Sequence, residues 1–111
     1  RPRDVVRFVG DVVASFASLA AQKEVDLVFA SEPAAAALYF EPDKLEKVFF
    51  NLLSNAVKFT PKGGAIRVAV AEAAAGEGAP EGSVVVRVAD SGIGIPQGEL
   101  PFVLDPFPQV V

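Results

Sequence analysis

The sequence predicts an α+β fold, a two-layer α/β sandwich in which two helices pack on one face of a mixed, mainly antiparallel sheet. Two segments place apolar residues at steps of three and four, which is typical of helices with one buried face. Four short segments rich in β-branched or aromatic residues are typical of strands. Because each element has one apolar side, placing both helices on one face of a sheet is the simplest way to bury them.

Length and composition limit the class of protein. At 111 residues the chain is expected to form one domain, residues 1–111, and 51% apolar with 22% charged residues is typical of a globular chain. Without cysteine or histidine it has no disulfide, no thiolate or imidazole zinc site and no histidine base. The net charge of −4, without a basic run, argues against a nucleic-acid partner.

Targeting signals are not evident either. No apolar run approaches the roughly eighteen residues needed to span a bilayer, and the first residues do not form a signal-peptide pattern. We therefore expect a cytoplasmic domain without direct membrane contact, whether or not its parent protein is anchored in a membrane.

Two helices are expected, one from the start of the chain to about Lys23 and one from Pro42 to Thr60. Proline in a first turn loses no helical hydrogen bond, and Pro61 ends the second helix. The residues expected to face the core are Val5, Phe8, Val9, Val12, Val13, Phe16 and Leu19 in the first helix, and Leu45, Val48, Phe49, Leu52, Ala56 and Phe59 in the second.

Strands are expected at "DLVFA" and "AAALYF", with a turn between them, and at "GGAIRVAVAEA" and "SVVVRVAD". The last two flank a turn-rich link and are expected to pair with each other as a hairpin. The stretch that follows, "SGIGIPQGELPF", is interpreted as a glycine-rich loop that can include a helical turn.

The second helix carries a polar stripe beside its apolar face. Asn51, Asn55 and Lys58 are one turn apart, so they point in the same direction. An amide oxygen is a hard neutral ligand suited to Mg²⁺, and a lysine supplies a positive charge for phosphate. The alternative is that the asparagines cap the helix or lie on a solvated edge, and the residues alone leave both explanations open.

A second candidate element begins at Asp90, directly after the last predicted strand. Gly92 and Gly94 allow a ligand to approach the backbone closely. A carboxylate at this position could accept a hydrogen bond from the amino group of adenine. The alternative is an ordinary turn, which the same residues also fit.

Three stretches carry a resemblance to a known family: "DKLEKVFFNLLSNAVKFTPKGG", "VVVRVADSGIGIP" and "LPFVLDPFPQ". Together they resemble the ATP-binding catalytic domain of bacterial sensor histidine kinases, within the superfamily of gyrase-like and heat-shock-chaperone-like ATPases. The resemblance extends over nearly the whole chain, and the motifs occur in the family's order. It implies a Bergerat-type ATP-binding fold, the cofactors ATP and Mg²⁺, and a function in two-component signal transduction.

The resemblance also implies a role for each matching position. Asn55 matches the asparagine of the N box that coordinates Mg²⁺, and Asn51 lines the same pocket. Lys58 matches the basic residue that reaches the phosphates, and Phe59 the aromatic residue that packs near the nucleotide. The other implied positions are Asp90 for the adenine amino group, Gly92 and Gly94 for the first glycine-rich box, Ile95 for the apolar side of the adenine, and Phe107 for the F box.

One position bears on the type of reaction. In the ATPase branches of the superfamily, a glutamate that activates water stands four residues before the Mg²⁺ asparagine. Here that position is Asn51, which cannot act as a base, and Glu46, nine residues before Asn55, is a poor substitute. The resemblance therefore implies a phosphotransferase rather than a fast ATP hydrolase, with no residue in a general-base role.

The chain also departs from the family pattern. It ends at Val111, before the family's ATP lid, second glycine-rich box and closing strands, and it has no histidine to phosphorylate. We expect a fragment of a histidine kinase that is inactive alone as an autokinase. The alternative is a degenerate, non-catalytic nucleotide-binding or interaction module.

The resemblance implies two partners: the histidine-bearing dimerisation domain of the same kinase and the receiver domain of a response regulator. Loss of the closing strands would leave a sheet edge unpaired, so self-association through that incomplete edge is also expected.

Overall fold

The computed structural model describes residues 3–72, 83–92 and 95–104. Its helices are α1 (Val5–Ser15), α2 (Ala17–Lys23) and α3 (Pro42–Phe59). Its strands are β1 (Arg3–Asp4), β2 (Asp26–Ser31), β3 (Ala37–Leu38), β4 (Ala65–Glu72), β5 (Val84–Gly92) and β6 (Ile95–Leu104).

The main sheet has four strands in the order β2-β4-β5-β6. β2 is parallel to β4, whereas β4 with β5 and β5 with β6 are antiparallel. The expected hairpin of β4 and β5 is therefore confirmed, and so is the mixed, mainly antiparallel sheet. A separate two-stranded sheet joins β1 to β3.

The core lies between the main sheet and the helices. Ile66, Val68 and Val70 alternate along β4 with more exposed residues, and each is at most 1% exposed. They belong to one cluster with buried residues of α1, α3 and β5. From the helices, the buried members of this cluster are Val5, Val6, Val9, Val12, Val13 and Phe16 at the N-terminal end and Phe49, Leu53, Ala56 and Val57 in α3.

The start of α1 is fixed by the carboxylate of Asp4. One of its oxygens accepts hydrogen bonds from the backbone N–H groups of Val6 at 3.1 Å, Arg7 at 3.5 Å and Ala36 at 3.1 Å. The first two are helix-capping bonds that satisfy N–H groups without an intrahelical partner. The third ties the helix to the segment before β3, which also receives the N–H of Val5 at the Ala36 carbonyl.

The predicted first helix is in fact two helices, inclined by 41° at Phe16. The Ser15 hydroxyl donates to the Val12 carbonyl at 2.6 Å, which is the acceptor that the N–H of Phe16 would use in a continuous helix. That N–H instead bonds the Val13 carbonyl, at 3.0 Å. Such local side-chain bonding bends or breaks helices.

Taken singly, no helix in the described ranges is long and apolar enough to span a membrane, but the bent pair α1 and α2 together meets that criterion by length and composition.

The second predicted helix is confirmed at both ends, but its buried face is rotated about the helix axis relative to the face predicted from the sequence. Val48 is 38% exposed and Phe59 is 69% exposed, so both core assignments were wrong, as was that of Leu19 at 47%. Leu53 and Val57 are buried instead, at 1% and 3%. The sheet and α1 lie on the Leu53 side of α3, so the apolar residues on the far flank of the stripe remain in contact with solvent.

Two strand predictions were also inaccurate. The expected strand at 35–40 is only two residues long, because it pairs with the two-residue β1 and not with β2. The expected loop at 91–102 belongs mostly to β6, whose backbone pairs with β5 from Gly92 with Ile95 to Val84 with Leu104. β6 is the outer strand, which needs backbone donors on one side only, so its prolines are tolerated there.

Candidate functional site

The polar stripe of α3 lies on its exposed face. Asn51, Asn55 and Lys58 are all exposed. They lie within an arc of about 60° and extend over about 10 Å of the helix axis. In the described part of the chain neither amide side chain has a hydrogen-bond partner, and neither caps the helix, which runs from Pro42 to Phe59. The capping explanation is therefore excluded, whereas two exposed amides fit both a solvated edge and a ligand site.

The C-terminal end of α3 adds an aromatic surface to this stripe. The ring of Phe59 is 69% exposed, and the Lys58 ammonium lies 5.3 Å from its centroid. A lysine in the last turn also interacts favourably with the negative end of the helix dipole. This end of α3 therefore presents a positive charge and a flat apolar face side by side, a combination suited to a ligand with an anionic part and an aromatic part.

Asp90 lies on the face of the sheet that the helices cover. It is paired with Ile66 across the antiparallel ladder, and directly opposed residues project to the same side of a sheet. Ile66 is fully buried in the core between sheet and helices, whereas Asp90, near the end of β5, is half-buried. The carboxylate therefore stands at the margin of the core.

The connection after α3 brings this margin to the end of the helix. Only residues 60–64 separate Phe59 from β4, and Ile66 is the second residue of that strand. The partner of Ile66 in β5 is Asp90, so the C-terminal end of α3 and the carboxylate lie at the same end of the sandwich. The family resemblance implied that these residues share one site. The short connection after α3 and the pairing of β4 with β5 explain how they come to lie at the same end of the domain.

The remaining predicted site residues are only partly described. Gly92 is the last residue of β5, where it pairs with Ile95, the first residue of β6. The glycine-rich box is therefore partly strand, although it was expected to be a loop. Gly94 and Phe107 lie outside the described residues, and their predicted roles are untested.

The amide oxygens of the α3 stripe suit an Mg²⁺ ion that is also bound to phosphate better than an ion held by the protein alone. Mg²⁺ prefers oxygen ligands and commonly takes one or two from the protein, with phosphate and water supplying the others. Two unpartnered amide groups meet that requirement on the protein side. In the ranges given above, no three acidic side chains converge as a metal cage.

A cavity lies at a different place from the α3 stripe. A volume of about 370 Å³ opens at the N-terminal end of α1, lined by Arg3, Arg7, Phe8, Phe40 and Pro42 among others. Pro42 is the first residue of α3, so this cavity is near the opposite end of that helix from Phe59, about 26 Å along the axis. None of the predicted site residues lines it.

One residue near the site, Lys23, was not predicted from the sequence. The Lys23 ammonium at the end of α2 donates to the carbonyl oxygens of Val57 at 2.5 Å and Lys58 at 2.6 Å. Pro61 could have indicated that this end of α3 needs an outside donor. A proline four residues after Val57 cannot donate the helical hydrogen bond to the Val57 carbonyl.

Comparison with known families and curated proteins identifies relatives of the chain. The profile of the family described as histidine kinase-, DNA gyrase B- and HSP90-like ATPase matches residues 40–110, more than half of the chain. Sensor histidine kinase RcsC of Escherichia coli is 34% identical over 110 residues, 98% of this chain and 10% of that protein. Histidine kinase P4 of Formosa agariphila is 32% identical over 92 residues, 83% of this chain and 6% of that protein. The chain thus spans a small part of the curated relatives it matches.

Solved structures show the same fold. The catalytic domain of histidine kinase ThkA superposes with a TM-score of 0.71 at 18% identity, covering 83% of this chain and 58% of that one. Full-length ShkA in complex with AMPPNP gives a TM-score of 0.68 at 25% identity, covering 83% of this chain and 18% of that one. The chain therefore belongs to the histidine kinase-, DNA gyrase B- and HSP90-like ATPase family, and its relatives are the ATP-binding catalytic domains of sensor histidine kinases.

Proposed function

We propose that this chain binds ATP with Mg²⁺ and, in its full-length protein, supplies the γ-phosphoryl group for histidine autophosphorylation in a two-component system. The observation that carries the proposal is the exposed stripe of Asn51, Asn55 and Lys58 on α3, within the segment that the family profile matches. The AMPPNP complex of ShkA, a relative of the same fold, supports a nucleotide as the ligand.

On the phosphate side, Asn55 would hold the metal ion through its amide oxygen, and Asn51 would line the pocket one turn earlier. Bound Mg²⁺ supplies charge neutralisation at the phosphate oxygens. Lys58 is exposed and free to turn toward the phosphates, since its ammonium contacts only a ring face in the described structure. The chain has a net charge of −4, so this local positive charge is needed to offset repulsion of a polyanion.

On the base side, Asp90 would accept a hydrogen bond from the adenine amino group, and Phe59 would pack near the nucleotide. Guanine carries a carbonyl where adenine carries that amino group, so a carboxylate at this place selects adenine over guanine. We further assign Gly92 and Gly94 to the backbone around the base, Ile95 to its apolar side, and Phe107 to the hinge of a covering loop.

The proposed chemistry depends on positioning and charge. Asn51 cannot remove a proton from water, and phosphoryl transfer requires mainly alignment and electrostatic stabilisation. We therefore propose transfer to a histidine of the kinase's dimerisation domain, with slow hydrolysis as a side reaction. The isolated chain has no histidine and is expected to bind nucleotide without labelling itself.

A response regulator is the proposed next partner. ThkA, whose catalytic domain shares this fold, has been solved in complex with the response regulator TrrA, with a TM-score of 0.70 over 83% of this chain. We place the domain in the cytoplasm, where ATP and receiver domains are available. Self-association through an open sheet edge remains a further proposal; in the described sheet the outer strands are β2 and β6.

Calorimetric titration with ATP, with and without Mg²⁺, tests the phosphate side of the proposal. Lys58→Met keeps the aliphatic stem but removes a charge-assisted contact of about 1.5–3 kcal/mol, so ATP binding should weaken about ten- to a hundred-fold. Asn55→Ala should abolish the gain in ATP affinity that Mg²⁺ provides. Arg7→Met is the control, because Arg7 is exposed and lines the cavity near the opposite end of α3.

The controls make the outcome specific. Equal loss of affinity in the Arg7 and Lys58 variants would show that only general charge matters, which contradicts the assigned site. A folded chain that does not bind ATP would refute nucleotide binding by these residues and favour an interaction module.

A further inference from the structure

The end of α3 is held by a residue from another helix. The Lys23 ammonium donates to the backbone carbonyls of Val57 and Lys58, at 2.5 and 2.6 Å. These two residues belong to the last turn of α3, and Lys58 and the next residue, Phe59, carry the side chains assigned to the nucleotide. Lys23 is 34 residues away from Val57 in the chain, so the contact is tertiary and not part of local helix capping.

The sequence explains why this turn needs an outside donor. In a continuous helix the Val57 carbonyl would accept the N–H of residue 61, but that residue is Pro61, which has none. The Lys58 carbonyl has no helical partner either, because the chain leaves the helix at Thr60, with ψ at 121°. Carbonyls at a helix C-terminus that lack partners favour a nearby cation, and an ammonium group satisfies both at once.

Further contacts join the segment that follows α2 to the segment that follows α3. The Glu24 carbonyl accepts the N–H of Gly63 at 2.9 Å, and the Gly64 carbonyl accepts the N–H of Asp26 at 3.0 Å. The Glu24 carboxylate also forms an ion pair with Lys62 at 2.9 Å, although both side chains are largely exposed. The backbone bonds fix the chain after α3, whereas the hydrogen bonds of Lys23 are the only side-chain ones among the described residues that join another element to the last turn of the helix itself.

We propose that Lys23 is a positioning residue for the nucleotide site: its ammonium group holds the last turn of α3 and thereby fixes where Lys58 and Phe59 present their side chains. The inference rests on the proposed function. Lys23 does not contact the ligand in this account. Without its donors, the Val57 and Lys58 carbonyls must find water, and the last turn can open at the place from which the phosphate and base contacts project.

The test compares ATP binding and amide exchange in the whole chain. Lys23→Met keeps the aliphatic stem and removes the donors, and we expect ATP affinity to fall at least fivefold. Lys23→Arg keeps donors at the same place and should retain most of the affinity. Asp4→Ala is the control for lost stability, since it removes backbone hydrogen bonds at the far end of α1 without touching α3.

Hydrogen exchange provides a readout that needs no ligand. The N–H of Thr60 bonds the Ala56 carbonyl at 2.9 Å and reports the last turn. In Lys23→Met it should exchange faster relative to the amides of β4, whereas in Asp4→Ala, which weakens the whole fold, it should not.

The outcomes separate this inference from the proposed function. ATP affinity that is unchanged in Lys23→Met, or reduced equally in Asp4→Ala, would overturn a positioning role. If the wild-type chain does not bind ATP, the proposed function fails, and an unchanged exchange ratio for Thr60 would then overturn the role of Lys23 separately.

Discussion

Replacing Asp4 with alanine should destabilise the fold by about 2 kcal/mol, because one carboxylate oxygen accepts three backbone N–H groups. Loss of the helix cap through Val6 and Arg7 should cost about 1 kcal/mol. The bond from Ala36 is part-buried and joins distant segments, so its loss should cost about 1 kcal/mol more. The Arg7 bond, at 3.5 Å and exposed, should contribute least.

Urea denaturation followed by circular dichroism would measure this loss, and the melting temperature should fall by about 10 °C. Asp11→Ala is the matched control, because Asp11 is an exposed acid on the same helix with no hydrogen bond in the described part of the structure. Asp4→Asn keeps an acceptor oxygen and should lose less than Asp4→Ala. A loss below about 0.5 kcal/mol in Asp4→Ala, or an equal loss in Asp11→Ala, would refute the capping argument.

Three other substitutions test the core and its margin by the same denaturation assay. Leu53→Ala, at a position 1% exposed, should cost about 2–5 kcal/mol, whereas Val48→Ala, at 38% exposed, should cost less than about 1 kcal/mol; similar losses would mean that the rotated face of α3 is wrong. Thr60 is fully buried and its hydroxyl has no hydrogen-bond partner among the described residues. Thr60→Val keeps the shape and should be neutral or stabilising by up to about 1 kcal/mol, so a clear destabilisation would reveal a partner for that hydroxyl.

The sequence could predict the elements whose limits are set locally. Pro42 and Pro61 bracket α3 because each proline restricts the backbone at its own position, and both ends were placed correctly. Alternation along β4 likewise identified Ile66, Val68 and Val70 as core residues.

The misplaced elements depend on distant or competing contacts. The break at Phe16 has no glycine or proline to signal it, and arises from the Ser15 hydroxyl competing for a carbonyl. β3 exists only because its residues meet β1, more than thirty positions earlier. β6 was interpreted as a loop because Pro96, Gly98 and Pro101 normally signal one, and only the outer place in the sheet makes them compatible with a strand.

The candidate site likewise has one part that local sequence could predict and one part that depends on distant contacts. Helix geometry alone places Asn51, Asn55 and Lys58 in one direction, so that part was predictable. The position of Asp90 near the end of α3 depends on the register of β5 with β4, which no local pattern specifies. Lys23 was missed for a similar reason, since its acceptors are backbone carbonyls from another helix.

Recognition of adenine by Asp90 is tested by a calorimetric comparison of ATP and GTP with the wild-type chain and Asp90→Ala, in the presence of Mg²⁺. We expect ATP to bind at least tenfold more tightly than GTP. Asp90→Ala should remove this preference, whereas Asp26→Ala, the matched control at an exposed acid on β2, should keep it. Equal affinity for the two nucleotides, or an ATP preference that survives in Asp90→Ala, would contradict the assignment of Asp90 and with it the adenine site described above.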